Sequence, residues 1–321
     1  MKATDGKLKP VTGTPKIPGA RAVKKPLPAL FSPRVKSTTT GQTPTNGNIQ
    51  NRILRRLLIV GLYVAVFSSL DWFTRAFQIY PGVVAWYPPD GISFALLLAL
   101  GEGYAPALIL TSLIDSFIIY QTGQPAGALI GWAVILALVY TAAAAFLRRR
   151  IHIGPQFRNM RDVLWLVFSA VIVSAILALV SVSALVAGGE VLAAQHFEAT
   201  LTWWVGEAIG ILVVTPVLLI HVMPGVRQFI EGDWDAPPLR ISFPRPTMQI
   251  VGQAISILGA LYLVFGVHAL DRFEPLYLLT IPLIWISLAY GLPGISLGIV
   301  AINFGTTLAM FVFHLDIAEL G

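Results

Sequence analysis

Cysteine is missing from this 321-residue chain, which excludes disulfides, thiol catalysis and cysteine-ligated metals. Charge is scarce as well. Only 12% of residues are Asp, Glu, Lys or Arg, against about 25% in soluble domains, so the surface cannot face water everywhere. No lysine follows Lys36. The chain lacks a Walker loop, a HEXXH pair and a GXSXG elbow. It also lacks a paired nucleophile and base, so the sequence is not read as an enzyme, and no cofactor is expected. The alternation of barrel strands is absent too, which excludes an outer-membrane barrel.

What is present is apolar length. Hydrophobic residues make up 56% of the chain and the mean hydropathy is +0.75. Runs of roughly 20 apolar residues, enough to cross a bilayer core, recur throughout. In lipid such runs must satisfy their own backbone, which they do as helices. The expected fold is therefore all-α, a polytopic transmembrane helix bundle of about eight to nine spans. The candidates are 57–78, 91–101, 106–121, 126–147, 163–187, 200–222, 248–268, 276–290 and 293–313. The second is too short to cross as a regular helix; it extends back into Val83–Trp86 or rests as a half-span on its neighbours.

Residues 1–50 are rich in Lys, Pro, Thr and Gly and cannot bury enough surface to fold, so a disordered basic tail is expected there. No apolar h-region follows the basic start, so this is not a signal peptide. The transmembrane domain is expected over 54–315 and a short tail over 316–321.

Orientation follows from Lys and Arg. With the N-terminus in the cytoplasm and each span crossing once, all but Arg75 and Arg272 of the 22 basic residues fall inside. That is the positive-inside pattern of a multi-pass protein of the bacterial inner (plasma) membrane. It accounts for the net charge of +6 without a nucleic-acid partner. The same parity places Gly321 outside, so a cytoplasmic effector would need one further span before it. The outer loops are short, so a stimulus must be read within the bilayer, at its surface, or from a partner protein.

Ionisable residues inside spans are expensive and mark functional candidates. Glu207 is foremost, in Trp203-Trp204-Val205-Gly206-Glu207-Ala208-Ile209-Gly210. Trp203, Trp204 and Gly210 lie three or four residues from it, on its helical face. Gly206 and Gly210 form a small-xxx-small pair that admits a second helix closely. Glu207 then serves either as a ligand- or proton-sensing group or as an interhelical tie.

A second constellation is Trp86-Tyr87-Pro88-Pro89-Asp90-Gly91-Ile92. The prolines fix an extended approach, Asp90 stands at the N-cap position, and Trp86 suits the aromatic belt. A capped helix start and a pocket beneath a kinked segment are the competing readings. Asp115 with Thr111, Ser112 and Ser116 makes a polar patch in the third span. Asp71 and Arg75, at i and i+4, can pair. The five histidines are read as interfacial residues ahead of a haem or metal site. Gly127/Gly131 and Gly294/Gly298 form GXXXG pairs, which arise easily by chance in so glycine-rich a chain.

These motifs carry a family resemblance. Trp86 to Ile92 followed by Ala95-Leu96-Leu97-Leu98 and Gly101, and Thr202 to Gly210 running into Thr215-Pro216, are similar to the MASE1 integral membrane sensory domain of bacterial signalling proteins. So is the stretch from Pro282-Leu283-Ile284-Trp285 to Tyr290-Gly291. The resemblance covers about residues 54–315. It departs from the family at Asp90, where a small residue is usual, and at Glu207, where Asp is usual. It implies a sensory input module that relays a stimulus to a cytoplasmic kinase, diguanylate cyclase or phosphodiesterase, none of which this sequence contains. Membrane lipids, a second copy or a signalling protein are the implied partners. A small-molecule transporter or channel is the alternative, suited by intramembrane carboxyls and interrupted helices.

Overall fold

The computed structural model describes residues 46–120, 124–154, 157, 159–231, 248–267 and 275–312. Helix α1 (Asn46–Thr74) opens the bundle, so residues 46–50, expected as the end of the tail, are its first turns. Residues 1–45 and 316–321, and with them most of both expected tails, lie outside the described residues, as do His268 and His314.

After α1 come a short antiparallel ribbon, β1 (Gln78–Tyr80) and β2 (Val83–Val84), and helix α2 (Pro88–Leu100). Helix α3 (Ala105–Ile114) continues as a π-helical stretch over Asp115–Tyr120. Helices α4 (Ala126–Phe146), α5 (Met160–Ala187) and α6 (His196–Val217) follow, then α7 (Met223–Glu231), α8 (Met248–Gly266) and α9 (Thr280–Val312).

Seven helical stretches are long and apolar enough to cross a membrane, with Pro88–Leu100 as a shorter apolar helix. The last of the seven, α9, is not one rod. At Gly291 the backbone takes φ 62° and ψ −150°, a region open essentially to glycine alone. Gly298 then lies against Leu283 and Ile286, and Gly294 against Tyr290 and Ile286. Residues this far apart in sequence meet only if the chain doubles back, so the arms 280–290 and 292–312 form an antiparallel hairpin. The expected pair of spans at 276–290 and 293–313 is found as these two arms.

Charges sort the bundle into two ends. At one end Arg55 donates to the Phe229 carbonyl at 3.1 Å, Arg227 to that of Ala99 at 2.9 Å and Arg161 to that of Ile151 at 3.3 Å. Arg148 and Arg149 both meet Glu102 there. At the opposite end Tyr80 donates to Glu198 at 3.1 Å and Gln124 to Glu190 at 2.6 Å. Apolar side chains such as Leu58, Leu138, Leu179 and Leu288 are exposed on the flanks, where an aqueous surface would carry polar groups. The buried core joins α1 to α6 and reaches the second arm of α9 through Leu292, Ile299 and Val300.

Helix α2 is where the second span resolves. Its thirteen residues reach only part of the way, and the chain Val83–Tyr87 completes the passage in extended form. Pro88 and Pro89 are tolerated in the first turn, where the missing N–H has no partner to lose. Asp90 is thus inside the first turn, with Tyr87 at the cap, rather than at the N-cap itself. The helix stops at Gly101, whose φ of 105° favours glycine; a Cβ there would meet Arg148 Nη1 at 2.6 Å.

The broken span rests on the glycine face of α6. A Cβ on Gly206 would meet the Val84 carbonyl at 2.4 Å, and one on Gly210 the Tyr87 carbonyl at 2.0 Å. The small-xxx-small pair therefore admits the chain leading into α2 at Gly206 and, at Gly210, the start of helix α2 itself, where a Gly91 Cβ would meet the Gly210 carbonyl at 2.4 Å. The Tyr87 amide donates to the Gly206 carbonyl at 3.1 Å and the Thr215 hydroxyl to that of Gly91 at 3.1 Å. These bonds satisfy backbone groups that lipid could not.

Substitution tests this contact. Gly210→Val should lower stability in detergent by about 1–3 kcal/mol or abolish insertion, because the obstructing atom is backbone and cannot rotate away. Gly127→Ala, at a site with nothing within 4 Å, should leave thermal denaturation unchanged. An unaltered melting temperature for Gly210→Val would contradict the packing.

Candidate functional site

Glu207 is 2% exposed, about three turns below the start of α6. Its Oε1 accepts a hydrogen bond from the Tyr140 hydroxyl of α4 at 2.5 Å. Its Oε2 accepts one from Trp203 Nε1, one turn earlier, at 3.0 Å. A buried carboxyl without donors would cost several kcal/mol; here both oxygens are met. Trp203 is held edge-on by Trp132, with ring centroids 6.3 Å apart, and Tyr140 tilts against Phe94 at 5.9 Å.

Trp204 does not join this group. Its Nε1 donates to the Val171 carbonyl of α5 at 2.9 Å, so it ties α6 to α5 instead. Trp86 packs edge-on against Phe304 of α9 at 4.7 Å, bringing the broken span to the hairpin.

Asp90 is 5% exposed and faces Tyr140 and Glu207 from α2, within electrostatic reach of both. Asp115 is 6% exposed and accepts from the Ser68 hydroxyl at 2.9 Å. Asp71, fully buried, accepts from the Tyr87 hydroxyl. Ser93 and Thr111 both meet the Tyr63 hydroxyl, at 2.9 and 3.4 Å. Each acidic residue thus comes from a different part of the chain, and they converge on one side of α2.

They converge on a cavity of about 370 Å³. Asp90, Asp115 and Glu207 line it, together with Thr111, Ser112 and Ser116. Arg75, Gln78, Pro81, Gly82, Gln124 and Glu190 also line it, at the end of the bundle opposite Arg55, Arg148 and Arg227. Below it, toward the arginine end, lies a layer of buried leucines, Leu96, Leu97, Leu147 and Leu219, all 2% exposed or less, none of which lines the cavity.

The sequence places Glu207 with Trp203 in one constellation and Asp90 and Asp115 in two others, and the fold brings all four to this one cavity. Trp204 and Trp86 do not line it. Tyr140 was missed. The usable signal was a phenol in the middle of an Ala- and Leu-rich span, since a buried tyrosine hydroxyl needs a partner.

An apolar-flanked helix bundle with a polar pocket sunk into one end is a membrane receptor or transporter architecture. The family comparison decides within that class. Residues 55–315 match the model of the MASE1 family, and the chain belongs to that family of membrane-associated sensory domains of signalling proteins. No curated protein and no solved structure matches it.

The Tyr140–Glu207 bond can be tested on its own. Tyr140→Phe leaves Oε1 without that donor and should cost about 1–3 kcal/mol. Glu207→Gln and Tyr140→Phe combined should be less damaging than the sum of the two, with a coupling of about 0.5–3 kcal/mol. Additive losses in a double-mutant cycle would show that the two side chains do not interact.

Proposed function

We propose that this chain is the input module of a bacterial inner-membrane signalling protein, and that the cavity lined by Asp90 and Glu207 is where the stimulus is read. The N-terminus and the arginine end face the cytoplasm, as the positive-inside rule requires, and the cavity opens to the periplasmic side. No catalytic step is assigned to it. Lipids surround the flanks, and the relay partner is a cytoplasmic output domain or a second copy that carries one.

The observation that carries this reading is the cavity itself. It reaches Glu207 in the core of the bundle, while the buried layer at Leu97, Leu147 and Leu219 lies beyond its lining. A cavity that stops short of that layer favours detection over transport in this conformation. Relay has a physical route. Helix α6 carries Glu207 near its middle. Below it, Pro216 and a π-helical stretch over Leu218–Val222 lead to His221, whose Nε2 is 3.1 Å from the Pro293 carbonyl oxygen at the hairpin turn. A stimulus shifts such an equilibrium only as far as it binds one arrangement better than the other.

Two experiments test the reading. Reporters inserted after Arg150 and at Gly189 should report cytoplasm and periplasm respectively; the reverse would invert the orientation. In a fusion to a cytoplasmic output domain, Glu207→Gln should insert normally but bias or abolish the response, and Glu207→Asp should retain part of it. A full response from a normally stable Glu207→Gln protein would remove Glu207 from the mechanism, and unfolding would reduce it to an interhelical tie.

A further inference from the structure

We propose that the cavity is a binding site for a small organic cation, an amine carried on an apolar body; this rests on reading the cavity as the input site and names the chemistry of what it admits.

Charge balance is the first observation. Asp90, Asp115, Glu207 and Glu190 line the cavity, with Arg75 as the basic side chain among its lining residues. Its Nη1 donates to the Ile119 carbonyl at 2.6 Å. Buried carboxylates are stable only when a counter-charge or donors meet them. Glu207 has two donors and Asp115 has Ser68. Asp90 is different. The Tyr140 hydroxyl reaches both Glu207, at 2.5 Å, and Asp90, and its one proton can serve only one of them at a time. Asp90 therefore lines the cavity, 95% buried from its 5% exposure, sharing its side-chain donor with Glu207.

A single metal ion does not fit. Among the described residues no group of three or more His, Asp or Glu side chains is close enough to hold one. The carboxyls share a cavity but not a coordination sphere, so the complementary charge must sit on a molecule with extent. The volume of about 370 Å³ falls within the roughly 300–1,000 Å³ of small-molecule sites. The walls suit a cationic body. Phe67, Tyr87, Trp132 and Trp203 line the cavity, and aromatic faces attract ammonium groups, more so when desolvated. Serine and threonine hydroxyls on α3 can accept the remaining ammonium protons. An anion would face three carboxyls, and a neutral ligand would leave Asp90 and Glu207 to share the one Tyr140 proton.

The test uses the purified full chain in detergent at constant ionic strength, with phenethylamine as the probe. Its isostere 2-phenylethanol is the neutral control, and 3-phenylpropionate, with the same two-carbon linker, is the anionic control. Phenethylamine should raise the melting temperature saturably and give a calorimetric isotherm; the two controls should do neither. Asp90→Asn and Asp115→Asn should each weaken phenethylamine binding about tenfold or more, as loss of a charge-assisted contact implies. If Asp90→Asn does not fold, Asp115→Asn is decisive alone. No saturable shift with phenethylamine, equal shifts with the controls, or unchanged affinity in the folded variants would overturn the proposal. A signalling fusion that depends on Glu207 while the protein binds no amine would overturn the ligand class and leave the input-site reading standing. Amine binding without any Glu207-dependent output would do the converse.

Discussion

The contact between an extended chain and a glycine face determines most of this structure. Val84 to Tyr87 lie directly on Gly206 and Gly210 of α6, close enough that no Cβ fits at either position. An extended segment at bilayer depth has backbone groups that lipid cannot satisfy, and it survives there only when buried in protein. The Tyr87 amide bonded to Gly206 supplies part of that burial. Because the segment is extended it is thin, and the space that a full helix would have filled remains open beside it. The cavity occupies that side of the bundle, with Val84, Tyr87 and Asp90 of the broken span in its wall. The same seating brings Asp90 opposite Tyr140 and Glu207. Pocket and carboxyl cluster are thus two results of one backbone approach.

The fold was legible in the sequence to the extent that hydropathy governs it. Lipid allows few architectures, so apolar runs alone locate the helices. The separate apolar runs at 276–290 and 293–313 located the two arms, and the break between them falls at Gly291 and Pro293, since glycine and proline interrupt a helix. The site was less legible. Glu207 and Trp203 are one helical turn apart, so periodicity joins them directly. Asp90 and Asp115 come from other elements, and their convergence depends on how the broken span seats, which spacing does not encode. Trp204 shows the limit of helical-face reasoning. Three residues from Glu207 is close enough to share a face, but its indole turns toward the Val171 carbonyl on α5. The glycine pair was recognised as a close-approach surface for a helix, and the start of α2 does meet Gly210, but the chain ahead of α2 that meets Gly206 was not foreseen, since GXXXG constrains distance and not the partner's conformation.

Several interruptions lie along the two walls that meet at the site. The chain between β2 and α2 is extended, α3 passes into a π-helical stretch at Asp115, and α6 does so again after Pro216. Single-turn π stretches alter the face that later residues present. At Asp115 this occurs at the position where the α3 carboxyl enters the cavity, and after Pro216 it occurs just before the His221 contact with the hairpin turn. Regular helices make up the flanks that meet lipid, and departures from regularity concentrate where polar groups need placing.

The glycine contacts also shape how the protein can change over evolutionary time. At Gly305 a Cβ would strike the end of the Leu261 side chain at 2.4 Å, so a larger residue there has a genetic remedy: a smaller residue at 261 makes room. Gly206 and Gly210 have none of that kind. Their neighbours are the main-chain atoms of Val84, Ala85 and Tyr87, which no substitution removes. A selection for suppressors of Gly305 variants should therefore recover second-site changes at Leu261. The same selection at Gly210 should return little besides restoration of the glycine, which makes those two positions fixed points around which the rest of the sequence can drift.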